Sequence, residues 1–391
     1  MAFLATFLIA LGFLQLISVY FQLRGLSLTG PLTGPGILVG ILILMAGVWL
    51  AVDMPLSELL LYGLLALVPA IVVLLLGGTV ANLGWDPMQH FLHDRLNTEY
   101  RVEEVSIPVE LTHVRQGETS GHAEIPASFI TPQLWSRDIH ERTDGKAILL
   151  VCGAGDTRHT FKWRILQELL HEHIAVLTVD PPGHGDFQYA PMTLANAKAA
   201  LRAALDWLAA QPDVHHIGAC GISFGGNQVA WLASQDERIC CAALISTPVS
   251  LNQLTKCVFA RETLALFLKP RNIGVLRDGS FMTLLQEYRR LKGVQLGEGL
   301  YQMIDAFDTR KAIRIIGERP VMIVHGSGDT AVSLQNAYEL YKAALPTKDL
   351  MLISQATHVT PVLYPREMGE LARWFSRWLN YNRNDAQQAV Q

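Results

Sequence analysis

The sequence of 391 residues predicts an α/β protein with a mostly parallel sheet, helices on both faces of that sheet and a helical cap, preceded by transmembrane helices. Two observations predict this class. Charged residues make up 17% of the chain, against about 25% in an ordinary soluble protein, and before Asp86 they are Arg24, Asp53 and Glu58. After that point, short continuous apolar runs alternate with amphipathic helical patterns, which is typical of a parallel sheet covered on both faces.

Residues 1–80 are predicted to form a membrane anchor with about three transmembrane helices. The apolar stretches 2–21, 35–52 and 59–80 carry no interior charge, and each has about the 20 residues that a helix needs to cross a bilayer. Lipid offers the backbone no hydrogen-bonding partner, so such stretches are expected to be helical. Three other interpretations stay open: a cleaved signal peptide for the first stretch, a buried helical hairpin for the other two, and two spans in place of three.

The flanking charges predict an integral membrane protein whose globular domain lies in the cytoplasm. With three spans, the loop 22–34 and the globular domain share one side of the membrane. That side carries Arg24 in the loop and Arg95 and Arg101 soon after the last span, whereas the opposite side has no Lys or Arg. The positive-inside rule assigns the arginine-bearing side to the cytoplasm. The five cysteines lie in mostly apolar contexts, which favours a reducing compartment.

The remaining chain divides into an interfacial connector over 81–100, an α/β domain over 101–380 and a C-terminal tail over 381–391. Within 251–319 the alternation stops, and helical patterns lie at 281–291 and 300–313, so this insertion is predicted to be a cap over the functional site. Strands are predicted at 102–111, 122–130, 147–151, 174–179, 216–220, 240–245, 321–324 and 350–353. Helices are predicted at 160–171, 194–210, 226–234, 334–344 and 367–379.

A serine stands where a predicted strand meets a predicted helix, in the pentapeptide Gly-Ile-Ser-Phe-Gly at 221–225. The G-x-S-x-G pattern alone is weak. At a strand-to-helix turn, however, the flanking glycines relieve steric clashes, and the helix N-terminus offers partial positive charge to a developing anion. A serine hydroxyl is a poor nucleophile unaided, so Ser223 needs a base and an orienting acid elsewhere in the chain.

Candidates for both partners follow later strands, in the order serine, acid, histidine. Asp329 lies in the loop after the strand 321–324, and His358 follows the last predicted strand. Functional side chains of parallel α/β sheets gather beyond the carboxyl ends of the strands, which is where all three would meet. The alternative, purely structural roles are a helix N-cap for Ser223, a turn or N-cap residue for Asp329, and a surface helix-start residue for His358.

From about residue 101 to 380 the chain resembles an α/β-hydrolase-fold protein of the serine hydrolase type. The resemblance rests on G-I-S-F-G, on V-H-G-S-G-D at 324–329, on the late T-H at 357–358, and on D-P-P-G-H-G at 180–185. It implies Ser223 as nucleophile, His358 as general base and acid, and Asp329 as the residue that orients the histidine. It also implies an oxyanion hole from the backbone N–H group of Phe224 and one from the turn after the third strand, for which Ala154 is the first choice and Gly155 the next.

The resemblance, taken with the anchor predicted from the apolar stretches, predicts a membrane-anchored serine hydrolase that cleaves a carboxylic ester or thioester through an acyl-enzyme on Ser223. Its expected partners are a small-molecule acyl substrate, lipophilic compounds included, and the lipid bilayer. The open alternatives are a non-catalytic scaffold in a membrane assembly, associating through small residues such as Gly36, Gly40 and Gly47, and an acyltransferase or peptidase with the same triad. An epoxide hydrolase or dehalogenase is disfavoured, because those relatives carry Asp at the nucleophile position.

Composition and the remaining polar residues narrow the function further. A net charge of −4 without a stripe of Lys or Arg argues against a nucleic-acid partner. No metal or organic cofactor is implied.

His184 is interpreted as a turn residue and His325 as a strand-end residue packed near Asp329. Asp156 and His159, which follow the candidate oxyanion turn, are possible pocket residues.

Overall fold

The computed structural model describes residues 1–23, 33–81, 100–114, 121–132, 145–158, 162–251, 258, 262, 294–358 and 360–379. The predicted connector, most of the predicted cap, its helix at 281–291, the C-terminal tail and His159 lie outside these residues. The chain divides into two compact units, one containing the N-terminal helices and the other containing the sheet.

The described part of the N-terminal unit consists of three helices, one over each predicted apolar stretch. They are α1 (Ala2–Leu23), α2 (Thr33–Ala51) and α3 (Leu56–Ala81). α1 and α2 pack at glycines: a Cβ added at Gly12 would lie 2.6 Å from the backbone nitrogen of Leu44, and one added at Gly47 would lie 2.7 Å from that of Ile9. Such spacing brings two helix backbones into direct contact. Gly47 of α2 therefore packs against α1 of the same chain.

Hydropathy and length single out one part of this unit as able to cross a membrane. Within the described residues, Leu56–Leu74 is both long and apolar enough, and Ala2–Ile17 and Leu38–Ala51 are shorter apolar helical stretches. Their surfaces expose large apolar side chains, with Trp49 at 76% and Leu64 at 79% exposure. The helices agree with the predicted elements, and their crossing of a bilayer stays a prediction.

The second unit is built on one eight-stranded, mostly parallel sheet, as predicted. The strand order is β1-β2-β4-β3-β5-β6-β7-β8, with β1, β2 and β4 joined by antiparallel pairing and all other neighbours parallel. The strands are β1 (Tyr100–Leu111), β2 (Gly121–Pro132), β3 (Lys146–Val151), β4 (Ala175–Val179), β5 (His216–Ile222), β6 (Ile239–Ile245), β7 (Val321–Gly326) and β8 (Lys348–Ile353).

Helices cover both faces of the sheet, because the side chains of its inner strands are apolar on both sides. On β3, Leu149 joins a core formed with α5 and α6, whereas the next side chain, Ile148, points to the opposite face near Phe375 of α10. The helices of this unit are α4 (Trp163–His171), α5 (Leu194–Ala209), α6 (Phe224–Gln235), α7 (Leu300–Phe307), α8 (Thr309–Ile316), α9 (Leu334–Ala343) and α10 (Pro365–Leu379).

The helical pattern at 300–313 proved to be two helices instead of one. Asp308 separates α7 from α8 with a left-handed backbone (φ 40°), and its side chain accepts a hydrogen bond from the backbone N–H of Lys311. Asp competes for backbone hydrogen bonds in this way and favours helix starts over helix interiors. The insertion therefore turns here before the chain enters β7.

Candidate active site

Ser223 lies on a sharp turn between β5 and α6. Its backbone is in the left-handed region (φ 52°), which is rare for a residue other than glycine, and its N–H donates to the carbonyl of Ile245 at the end of β6 (2.7 Å). The flanking glycines permit the turn: a Cβ at Gly225 would lie 2.5 Å from the carbonyl oxygen of Cys152, and one at Gly221 would overlap the carbonyl of Gly225. The strained conformation holds the Ser223 hydroxyl above the sheet edge.

Asp329 and His358 lie in two loops that follow β7 and β8 and are tied together by hydrogen bonds. The N–H of Gly328 donates to the carbonyl of Ala356 (2.9 Å), and the N–H of Gln355 donates to the Ser327 hydroxyl (2.9 Å). Because β7 and β8 are parallel neighbours, both loops leave the same edge of the sheet. We call them the acid loop (327–332) and the histidine loop (354–360).

The three side chains predicted from the sequence meet in one hydrogen-bonded chain. His358 Nδ1 lies 2.8 Å from Asp329 Oδ2, and His358 Nε2 lies 2.9 Å from Ser223 Oγ. A carboxylate can only accept, so Nδ1 carries the proton and Nε2 is free to accept from the serine hydroxyl. The other oxygen of Asp329 accepts from the backbone N–H groups of Ala331 (3.0 Å) and Val332 (2.7 Å), which fixes the carboxylate in place.

Burial and neighbouring charges together shift the pKa values of the two histidines. Burial alone lowers the pKa of His358, but the charge of Asp329, the hydrogen bond to it and the charge of Glu262 together raise that pKa above its ordinary value. Burial lowers the pKa of His325, whose Nε2 donates to the carbonyl of Val332 (3.0 Å). His325 therefore packs beside Asp329 as a neutral group, in agreement with the prediction.

The two backbone groups predicted for an oxyanion hole lie in suitable elements. Phe224 is the first residue of α6, where a backbone N–H has no acceptor within its own helix. Ala154 lies half-buried in the turn after β3, in which the N–H of Asp156 donates to the carbonyl of Gly153 (3.2 Å). Gly153 packs directly against Ser223, since a Cβ added there would lie 3.1 Å from the serine Cβ. Their role as donors stays a prediction.

Buried ion pairs support the turns around this site, and sequence reasoning missed them. Lys162 is fully buried and donates to Asp156 Oδ2 (2.6 Å) and to the carbonyl of Thr157 (2.6 Å). Asp156, which the sequence suggested as a pocket residue, therefore forms an ion pair with the buried Lys162. Arg158 contacts Asp180 and lies 2.9 Å from Asp186. A lysine or arginine in sequence predicts exposure, so no sequence signal identified these pairs.

The other polar residues considered from sequence have structural places. His184 is buried in the turn after β4, with Nδ1 2.8 Å from the carbonyl of Pro182, and burial lowers its pKa. Burial also raises the pKa of the Cys152 thiol, which keeps it neutral. Among the described residues, no group of three or more His, Cys, Asp or Glu side chains is arranged to hold a metal ion.

Comparison with known proteins agrees with the fold. The model of a family described as "Alpha/beta hydrolase family" matches residues 148–371, more than half of the chain. The chain therefore belongs to the alpha/beta hydrolase family. No curated protein sequence matches it significantly.

Solved structures similar to this chain have low sequence identity to it. An alpha/beta hydrolase from Penicillium sp. sh18 is 14% identical with a TM-score of 0.52, over 72% of this chain and 100% of that one. The esterase domain of a Rhodothermus marinus protein is 19% identical with a TM-score of 0.45, over 72% and 100% of the two chains. A Pyrococcus furiosus esterase is 18% identical with a TM-score of 0.46, over 72% and 94%.

Proposed function

We propose that the protein is a membrane-anchored serine hydrolase that cleaves a carboxylic ester or thioester through an acyl-enzyme on Ser223. The observation that carries the proposal is the hydrogen-bonded chain from Ser223 Oγ through the His358 imidazole to Asp329 Oδ2, with distances of 2.9 and 2.8 Å. A serine, a base within hydrogen-bonding reach and a third group that orients the base are together the signature of an activated nucleophile.

The geometry supports a two-step acyl transfer. Ser223 Oγ attacks the acyl carbon while its proton moves to His358 Nε2, and the resulting imidazolium is stabilised by the carboxylate of Asp329. The imidazolium then protonates the departing alcohol or thiol, which leaves the acyl group bonded to Ser223. In the second step His358 takes a proton from water, the hydroxide attacks the acyl carbon, and Ser223 Oγ recovers the proton as the acid is released.

Negative charge on the acyl oxygen needs donors during both steps. We assign the backbone N–H groups of Phe224 and Ala154 to this role. The partial positive charge at the N-terminus of α6 favours the same anion. Loss of one such donor typically costs about 10²–10³ in rate.

The anchor belongs to the proposal because α1–α3 are apolar and their surfaces expose large apolar side chains. A bilayer is the solvent that would cover such surfaces. The predicted side for the hydrolase domain is the cytoplasm, and the four described cysteines are free thiols, as a reducing compartment would keep them. Anchoring also favours acyl substrates that partition into lipid.

Labelling with a fluorophosphonate probe tests the nucleophile. Membranes containing the full chain should be labelled, and Ser223→Ala should abolish the labelling. Ser234→Ala is the matched control: the hydroxyl of this half-buried serine donates to the carbonyl of Trp231 within α6, so labelling should be retained. Absence of labelling in folded wild type would contradict the proposal and favour the scaffold alternative.

Extraction and protease protection test the anchor and its orientation. After extraction with alkaline carbonate, the protein should stay in the membrane pellet. Protease added outside the cells should leave the hydrolase domain intact until the cells are permeabilised. Release by carbonate would refute membrane integration. Cleavage in intact cells would refute the cytoplasmic placement without affecting the assignment of Ser223.

A further inference from the structure

A buried carboxylate outside the Ser–His–Asp chain contacts both loops of the site. Glu262 comes from the insertion between β6 and α7 and is 6% exposed. One of its oxygens, Oε1, accepts from the backbone N–H of Thr330 (2.5 Å) and from the Thr330 hydroxyl. The other, Oε2, accepts from the backbone N–H of His358 (2.6 Å). Each oxygen therefore binds a different loop.

These contacts connect the acid loop and the histidine loop at the positions that matter for proton transfer. Thr330 directly follows Asp329, and the second contact is made by His358 itself. Besides the bond between His358 Nδ1 and Asp329 Oδ2, the described hydrogen bonds between the loops lie at Gly328–Ala356 and Ser327–Gln355. Glu262 adds a connection beside the imidazole, where a small shift would lengthen the distance to Ser223 Oγ.

We propose that Glu262 is a positioning residue of this site: its carboxylate bridges the acid loop and the histidine loop and holds His358 within reach of Asp329 and Ser223. This inference rests on the proposed serine hydrolase function. The cap insertion thereby takes part in the catalytic geometry, in addition to any role in covering the substrate.

The donor set requires a carboxylate at this position. The described partners of Glu262 are two N–H groups and one O–H group, all donors, and they are shared between its two oxygens. An amide would place an NH2 group against one of those donors and leave a buried N–H unpaired, which is costly. The charge of Glu262 also acts on the imidazole, since it helps to raise the pKa of His358.

Among the described residues, three groups that can carry charge act on His358: Asp329 of the acid loop, Glu262 of the insertion and His325 at the end of β7. Burial keeps His325 neutral, so the two carboxylates determine the electrostatic effect. Removing the charge of Glu262 should therefore let the imidazole lose its proton at lower pH. A residue with a purely structural role would not move this midpoint.

The test is the rate of fluorophosphonate labelling of the full-length protein in membranes, measured from about pH 5 to 9 around the ordinary histidine value. Glu262→Gln should lower the high-pH plateau about tenfold, because one charge-assisted hydrogen bond is lost. Its rising limb should also move to lower pH. Thr330→Val keeps the carboxylate and its bond to His358 but loses the hydroxyl bond to Glu262, so it should lower the plateau about threefold and leave the midpoint unchanged.

Glu298→Gln is the matched control, because it makes the same chemical change in the same insertion. Its carboxylate accepts from the backbone N–H of Leu194 at the start of α5, so both plateau and midpoint should equal those of wild type. An unchanged plateau and midpoint in folded Glu262→Gln would overturn the inference.

Two further outcomes keep the test decisive. If Glu262→Gln does not fold, Thr330→Val decides: a plateau equal to that of wild type would overturn the inference, and a lower plateau with the wild-type midpoint would support it. Wild type that is not labelled at any pH would overturn the proposed function itself. Labelling that depends on Ser223 but not on Glu262 would overturn the inference alone.

Discussion

Replacing Asp329 by Asn removes the carboxylate charge beside His358 Nδ1 while preserving the shape of the site. The backbone N–H groups of Ala331 and Val332 both donate to Asp329 Oδ1, so the amide oxygen of Asn must take that place. The amide NH2 group then faces His358 Nδ1, which lies 2.8 Å from Oδ2 in the wild type. An NH2 donor requires Nδ1 without its proton. The proton moves to Nε2, which can no longer accept from Ser223.

This wrong tautomer sets the expected magnitude. In Ser–His–Asp sites the equivalent change lowers kcat on the order of 10⁴-fold, which corresponds to about 5.4 kcal/mol at 1.36 kcal/mol per factor of ten. Hydrolysis of a p-nitrophenyl ester by the full chain in membranes measures the change, with single-turnover labelling as a second readout. The thermal midpoint should change little, because both N–H groups keep their acceptor.

Asp349→Asn is the matched control for this prediction. Asp349 lies on β8, and its carboxylate accepts a hydrogen bond from Trp374 Nε1 of α10 (2.8 Å). The same substitution there should leave kcat near the wild-type value. A loss of less than about tenfold in folded Asp329→Asn would refute the assigned tautomer. A group other than Asp329 would then orient the imidazole of His358.

Two predictions concern stability. The pKa of His358 is raised in the folded state, so its contribution to stability is fully present below about pH 6.5, the unfolded value, and disappears as the pH rises through the folded pKa. The difference in free energy of unfolding between wild type and His358→Gln should therefore be larger at pH 5.5 than at pH 9, and a difference that grows with pH would contradict this sign. In the N-terminal unit, Gly47→Ala should lower the thermal midpoint in detergent, because its Cβ would lie 2.7 Å from the backbone nitrogen of Ile9 and overpacking costs about 1–3 kcal/mol. Gly63→Ala, whose Cβ would meet nothing within 4 Å, is the matched control and should be neutral or stabilising.

Much of the sheet could be predicted because buried parallel strands leave a direct record in the sequence. Both faces of β3–β7 are covered, so their side chains are apolar in continuous runs, and the predicted strands agree with the structure to within two residues at each end. The places of Ser223, Asp329 and His358 follow from the same rule, since each comes just after the carboxyl end of a strand.

Other features depended on long-range packing that no local pattern records. Glu262 is separated by 68 residues from Thr330 and by 96 from His358, and its segment does not alternate. Lys162 is buried because Asp156 and a carbonyl satisfy its ammonium group, whereas composition predicts an exposed lysine. At Asp308 a helix-start signal was present and was outweighed by the apolar periodicity on either side.

The order of the site residues along the chain has a consequence for biosynthesis. Ser223 and His358 are 135 residues apart, and the histidine follows the last strand of the sheet. A nascent chain therefore exposes its serine on the ribosome long before any base can reach it, and domains form as their chains emerge. The hydrogen bond between His358 Nε2 and Ser223 Oγ forms only when β8 has joined the sheet. Under the proposed function, an incomplete product of translation therefore carries the serine without the base that would activate it.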